Sequence, residues 1–270
     1  MKKTILLAMI PLCLLNSCKE KEKETKTEVD QVTSEMSTEA EATTVETGFE
    51  IIPISHGTLV LKWDDATIYI DPVGGKKAFD GQADPDVILI TDIHGDHLNK
   101  ATLDSLPTTN TSFIVPKAVA QELGEAYSPQ TTILDNGAQI EKLGFTIEAI
   151  PMYNLREEAL KFHPKGRGNG YVISKGGKRV YVSGDTEDIP EMRQLENIDI
   201  AFVCMNLPYT MPVESAADAV IAFEPDTVLP YHYRGTQGLS DVQAFKNKVN
   251  QAKPEINVLV LDWYENAQNN

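Results

Sequence analysis

Two of the five histidines in this 270-residue chain fall in one short stretch with two carboxylates, Thr91-Asp92-Ile93-His94-Gly95-Asp96-His97. Such crowding is costly unless something binds there, and the residue types are those of a metal site. The stretch directly follows an apolar run, Val87 to Ile90, that reads as a buried strand, and Gly95 allows a sharp bend beyond it. Alternating spacing sends Asp92 and His94 to one side, while Asp96 and His97, past the bend, face a neighbouring ion. A water held between two such ions loses its proton near neutral pH and attacks a carbonyl or phosphorus centre, with the metals stabilising the oxyanion. Asp96 is the candidate to orient that hydroxide or shuttle its proton. Of the three cysteines, Cys13, Cys18 and Cys204, two lie near the N-terminus, so no thiolate zinc ribbon is possible and the ligands must be His and carboxylate. Cys204, inside an apolar run, reads as core.

The elements that must position these groups read as strands first, then strands alternating with helices. Gly57 to Trp63 and Thr67 to Ile70, separated by Asp64-Asp65, suggest a hairpin. Further strands are expected at Phe113 to Val115, Thr131 to Leu134, Phe145 to Ile150, Tyr171 to Ser174, Val180 to Ser183, Ile200 to Met205, Thr227 to Pro230 and Asn257 to Leu261. Helices are expected at Lys117 to Leu123, Ile189 to Leu195, Ala216 to Phe223 and Ser240 to Gln251, the last capped by Ser240. The mixture predicts layered α and β structure without repeats.

Ahead of this domain lies an address. Lys2 and Lys3 precede the apolar run Ile5 to Leu15, too short to span a bilayer but suited to a signal peptide over residues 1–17. Leu15-Asn16-Ser17-Cys18 resembles a bacterial lipobox, which implies acylation of Cys18, export and a membrane lipid anchor on the periplasmic or cell-surface side. Residues 18–48, rich in Glu, Thr, Lys and Ser, are expected to form a disordered tether, leaving residues 49–270 as the folded domain. With 40 acidic against 24 basic residues the net charge is −16, which disfavours nucleic acid as a partner.

Asp92 to His97 resembles the HxHxDH signature of the metallo-β-lactamase superfamily, with Asp92 standing where the first histidine is usual. Ser183-Gly184-Asp185-Thr186, after a strand, is similar to that family's glycine-aspartate, and His232 in Leu229-Pro230-Tyr231-His232-Tyr233 to its final histidine. The resemblance implies a four-layer αββα sandwich of the α/β class and two divalent ions. It gives the first ion Asp92, His94, the bridging Asp185 and one more ligand, His163 or alternatively Asn154, with His163 preferred. It gives the second ion Asp96, His97, Asp185 and His232. Zinc is the first candidate, and a carboxylate in place of an imidazole brings in manganese or iron. His56-Gly57 and Asp71-Pro72 resemble the ascorbate-6-phosphate lactonase-like branch, which places His56 and Asp71 as supports that orient the ligands. Tyr231 and Tyr233 are candidates to donate a proton to the oxyanion or leaving group.

The expected substrate is a small molecule: a lactone, amide or phosphoester. Arg156, Lys161, Lys165 and Arg167 flank His163, so an anionic substrate is among the expectations, and Gly166, Gly168 and Gly170 would let this segment move as a lid. The competing expectation is a lipid-anchored metal-binding or ligand-binding protein on the same fold, without turnover.

Overall fold

The computed structural model describes residues 43–44 and 49–264. The expected signal peptide, Cys18 and most of the expected tether lie outside the described residues. The first sheet contains, in spatial and chain order, β1 (Thr43–Thr44), β2 (Phe49–Ser55), β3 (Thr58–Trp63), β4 (Ala66–Ile70), β5 (Val87–Leu89), β6 (Ser112–Val115) and β7 (Thr131–Ile133). The second contains β8 (Gln139–Lys142), β9 (Phe145–Met152), β10 (Gly168–Lys175), β11 (Lys178–Val182), β12 (Ile200–Cys204) and β13 (Thr227–Tyr231). After the small hairpin of β14 (Arg234–Gly235) and β15 (Gly238–Leu239), β16 (Asn257–Val258) completes that sheet beside β13. The tether expectation ends early: Thr43 pairs with Ile51, so the chain covers the free edge of β2 before the domain boundary drawn from composition.

Alternation along the strands builds two cores. Leu59, Leu61, Ile68, Ile70, Val87 and Leu89 turn towards the second sheet and join the larger cluster. Val60, Tyr69 and Ile88 turn the other way, under Leu103 of α1 (Lys100–Ser105) and Val119 and Leu123 of α2 (Lys117–Leu123). The second sheet is covered through α3 (Pro190–Arg193), α4 (Val213–Phe223) and α5 (Val242–Ala252), whose Met192, Val220, Phe223, Phe245 and Val249 join the larger cluster. The result is the expected αββα layering. Strands β12 and β13 are buried at every position, as parallel strands sandwiched on both faces must be.

Two local expectations change. The cap of α5 is Asp241, whose carboxylate accepts from the Ala244 N–H at 2.8 Å, while the Ser240 hydroxyl donates to the Met205 carbonyl. A charged acceptor one residue closer to the first turn takes the orphan amide. The short helix α1, absent from the sequence reading, is capped by Asn99, whose Oδ1 accepts from the Thr102 N–H at 2.9 Å.

The parallel run β4-β5-β6-β7 and the parallel run β11-β12-β13-β16 end in loops that carry the polar residues of interest. Asp71 follows β4, the Asp92 to His97 loop follows β5, Asp185 follows β11 and His232 follows β13. Such loops beyond the carboxyl ends of strands are where layered α/β folds place ligands.

Candidate metal centre

The strand-end loops bring His97, Asp185 and His232 together, with one donor atom from each inside a span of 4.8 Å. His97 Nε2 lies 3.2 Å from His232 Nε2 and 3.4 Å from Asp185 Oδ2, and His232 Nε2 lies 3.4 Å from Asp185 Oδ1. Asp96 enters from the rim, its Oδ2 3.5 Å from His232 Nε2 and its Oδ1 3.9 Å from His97 Nε2. His163 joins from the other side, Nε2 3.2 Å from Asp185 Oδ2.

The histidines are oriented from behind. His97 Nδ1 donates to Asp71 Oδ2 at 2.7 Å, and Asp71 is itself fixed by the Thr91 N–H at 2.7 Å and the Thr91 hydroxyl at 2.6 Å. With the proton on Nδ1, the His97 Nε2 lone pair faces the cluster, the arrangement by which a carboxylate tunes a metal-ligating imidazole. His163 Nδ1 lies 3.2 Å from the Tyr209 carbonyl, which a proton there would answer, again leaving Nε2 free. Asn154 stands behind His163, its amide nitrogen 3.3 Å from Nδ1, on the side away from Asp185. With Nδ1 protonated, the Asn154 amide donates instead to the Ala159 and Tyr209 carbonyls, at 2.9 and 2.7 Å, and so fixes the loop that carries His163 without taking its place.

Burial would push the Asp185 carboxyl up, but His232 and His97 outweigh it and hold the group well below the usual carboxylate range. For His97 burial lowers the pKa, and Asp185 and Asp71 overrule it to hold the ring well above its ordinary value. Both shifts describe a pocket whose field attracts positive charge. Four buried polar atoms of these residues have no hydrogen-bond partner, Asp185 Oδ1, His163 Nε2, His232 Nδ1 and Asn154 Oδ1, and the first two face the cluster. Orphaned acceptors at the centre of a nitrogen-and-carboxylate cradle are what a divalent cation would satisfy, so these residues fit a metal.

Asp92 and His94 are arranged differently. Arg167 grips the Asp92 carboxylate with two parallel bonds, Nε to Oδ1 at 2.9 Å and Nη2 to Oδ2 at 2.7 Å. Asp92 Oδ2 also lies 2.9 Å from His94 Nδ1, and Arg167 Nη2 is 3.4 Å from His94 Nε2. His163 Nε2 is 3.9 Å from Asp92 Oδ2, so the three residues Asp92, His94 and His163 form a group, but one with a guanidinium set against it.

The remaining expected residues are distributed as follows. His56 Nε2 lies 3.4 Å from Asp96 Oδ2, and His56 Nδ1 is 2.8 Å from the Tyr264 hydroxyl, so this imidazole braces the rim carboxylate. Tyr231 and Tyr233 do not meet the proton-donor expectation. Neither ring lines the cavity over the cluster: the buried Tyr231 hydroxyl accepts from the Gly184 N–H at 2.9 Å, and the Tyr233 ring packs edge-on against Tyr264. Of the three glycines read as hinges of a lid, only Gly166 lies in the loop, with a left-handed φ of 86°. Gly168 and Gly170 belong to β10, where a Cβ would stand 2.8 Å from the Thr91 and Ser183 carbonyls respectively, so these glycines serve close packing. The basic rim is largely neutralised: Arg156 is held by Glu187 and Glu158, Lys165 by Glu191, and Arg167 by Asp92. Cys204 is buried in β12, and burial pushes its thiol up to about 12, which removes it as a nucleophile.

Other contributors were not singled out from the sequence. At Gly57 an added Cβ would stand 2.8 Å from His232 Cδ2 and 3.6 Å from His97 Cε1, so only a bare backbone leaves room for the paired imidazoles. A cavity of about 300 Å³ opens over the cluster, lined by His94, Asp96, Phe162, His163, Asp185, Asn206 and Tyr209. Asn206 follows β12, as the other site residues follow their strands, and that position was its only signal. Its side-chain oxygen accepts from the Thr210 hydroxyl, which leaves the amide NH2 as a donor at the cavity wall. The backbone at His56, Asp71 and His232 is left-handed, with φ of 55°, 46° and 46°.

A family model described as the beta-lactamase superfamily domain matches residues 50–232. A metal-dependent hydrolase of Methanopyrus kandleri is 27% identical over 219 residues, which cover 77% of this chain and 95% of that relative. Among solved structures, a Parabacteroides distasonis protein assigned as a metal-dependent hydrolase is 35% identical with a TM-score of 0.73, covering 84% of this chain and 99% of that one. A metallo hydrolase of Ignicoccus hospitalis is 26% identical with a TM-score of 0.66, covering 79% of this chain and 94% of the other.

Proposed function

Because this chain belongs to the β-lactamase superfamily and is a metal-dependent hydrolase, we propose that its reacting centre is the cavity over His97, Asp185 and His232 and that its substrate is a lactone, amide or phosphoester. The observation that carries this reading is the pair of orphaned buried atoms, Asp185 Oδ1 and His163 Nε2, beside two imidazoles whose Nε2 atoms face each other at 3.2 Å.

His97, Asp185 and His232 would hold the metal, with Asp96 closing the set from the rim. When bound, a divalent ion supplies Lewis acidity and a water acidified towards neutral pH. Two imidazoles with carboxylates favour zinc. The chain supplies the rest. Asp96 is the carboxylate at the mouth; burial would raise its carboxyl, but the hydrogen bonds to His232 and His56 hold it well below the usual carboxylate range, so it stays ionised to accept a hydrogen bond from the attacking water and orient it. Asn206 offers its amide NH2 to the oxygen on which charge develops, the role the tyrosines do not fill. Phe162 and Tyr209, packed edge to face at 5.0 Å, wall the cavity against water. Lys161, whose ammonium stands 5.0 Å over the Phe162 ring, is the cation left to meet an anionic substituent.

Asp185→Ala is expected to abolish metal binding, read by elemental analysis of protein purified without chelator, together with hydrolysis across a panel of lactones, amides and phosphodiesters. Full metal content in that variant would overturn the assignment. We also propose that the enzyme works outside the cytoplasm on a lipid anchor, a reading supported by Lys2, Lys3, the apolar run to Leu15 and Cys18. Cys18→Ser should move the protein from the membrane to the soluble fraction, and unchanged membrane association would refute the anchor.

A further inference from the structure

We propose that this is a single-ion hydrolase in which Arg167, clamped to Asp92, takes the place of the first of two metal ions. The inference rests on the metal centre assigned above and deepens it.

Two of the four donors expected at the first position, Asp92 and His94, are already answered by protein partners. Asp92 is fully buried, and each of its oxygens has a guanidinium nitrogen within 2.9 Å, one on Nε and one on Nη2. His94 has both ring nitrogens engaged, Nδ1 at 2.9 Å from Asp92 Oδ2 and Nε2 at 3.4 Å from Arg167 Nη2. Arg167 is tied down a third time by the Phe162 carbonyl, which fixes the guanidinium plane. None of these atoms is among the buried groups lacking a partner, whereas Asp185 Oδ1 and His163 Nε2 are. An ion bound to Asp92 and His94 would have to break a bidentate charge-assisted pair and then sit beside a permanent positive charge. With Asp92 and His94 withdrawn, only His163 and the shared Asp185 remain of the four ligands expected there, so the first position does not fit a divalent ion of its own.

The substitution is electrostatically coherent. A buried carboxylate in the first histidine position needs a cation, and Arg167 supplies one that never dissociates or deprotonates. His163, freed from a first ion, keeps its Nε2 at 3.2 Å from Asp185 Oδ2 and can act as a donor or ligand on the remaining centre. Arg167 thus acts as a positioning residue: it holds Asp92 and His94 out of ligation.

The test is the number of ions per folded chain, counted by native mass spectrometry during titration of chelator-stripped protein with zinc. Wild type is expected to take up one ion and to show no second at a hundredfold excess over the first site's Kd. Arg167→Met, with Asp92, His94 and His163 left to bind, is expected to gain a second ion, a change that mere loss of structure would not produce. Two ions of comparable affinity in the wild type would overturn the proposal. So would a single ion in Arg167→Met with an unchanged circular dichroism spectrum. An absence of any ion in the wild type would instead overturn the metal centre itself, so the two failures are distinguishable.

Discussion

One loop, Asp92 to His97, feeds two neighbouring regions that the structure treats in opposite ways. On the side of His94, carboxylate, imidazole and guanidinium satisfy one another; on the side of His97, imidazoles and a carboxylate converge with Asp185 Oδ1 left over, and His163, between the two, keeps an unpartnered Nε2. Similar residue types therefore do different work according to what stands opposite them. A buried ion pair completed by a protein cation is a fixed structural part, while a buried cluster short of one cation is a binding site.

Two substitutions sharpen this contrast beyond the counting experiment on Arg167. The larger effect is expected from Asn206→Ala, which removes the cavity-wall donor without touching either cluster: kcat should fall about 10²- to 10³-fold with metal content unchanged. Loss of the ion in that variant would mean that Asn206 supports the cluster and not the reaction. A smaller effect is expected from Asp71→Asn, which weakens the support behind His97 and leaves the Arg167 to Asp92 pair in place. Metal affinity, measured by competition with a chromogenic chelator, should drop roughly 10- to 100-fold. An unchanged affinity would show that His97 needs no orientation from behind, and that the two regions differ less than the geometry indicates.

The parts legible in the sequence are those carried by local pattern. Period-two apolar runs fixed most strands, and the dense polar loop after β5 announced a site. Asp185 and His232 could be placed because each follows a strand in a recognisable dipeptide or strand context. What stayed hidden depends on contacts between distant segments. Arg167 was visible only as one of several bases near His163, and nothing local links it to Asp92, 75 positions away. The tyrosines beside His232 were candidate donors by proximity in sequence, yet the chain leaves β13 at His232 with a left-handed backbone, and their partners Gly184 and Tyr264 lie far off in sequence. Gly168 and Gly170 suggested mobility because a glycine's identity does not reveal whether it is needed for bending or for closeness. Likewise Ser240 and Asp241 are both good caps, and only the geometry of the first turn of α5 chooses between them.

The left-handed backbone at His56, Asp71 and His232 has a consequence for how this protein can change. Each of these residues holds a conformation that disfavours a side chain by roughly 1–2 kcal/mol, a local strain that glycine would relieve. Yet each carries a ring or carboxylate that the cluster uses, and glycine would delete it. Backbone relief and the cluster are thereby set against each other at three points, His56 at the rim and the buried Asp71 and His232, and selection for a tougher molecule must find its gains elsewhere in the sandwich.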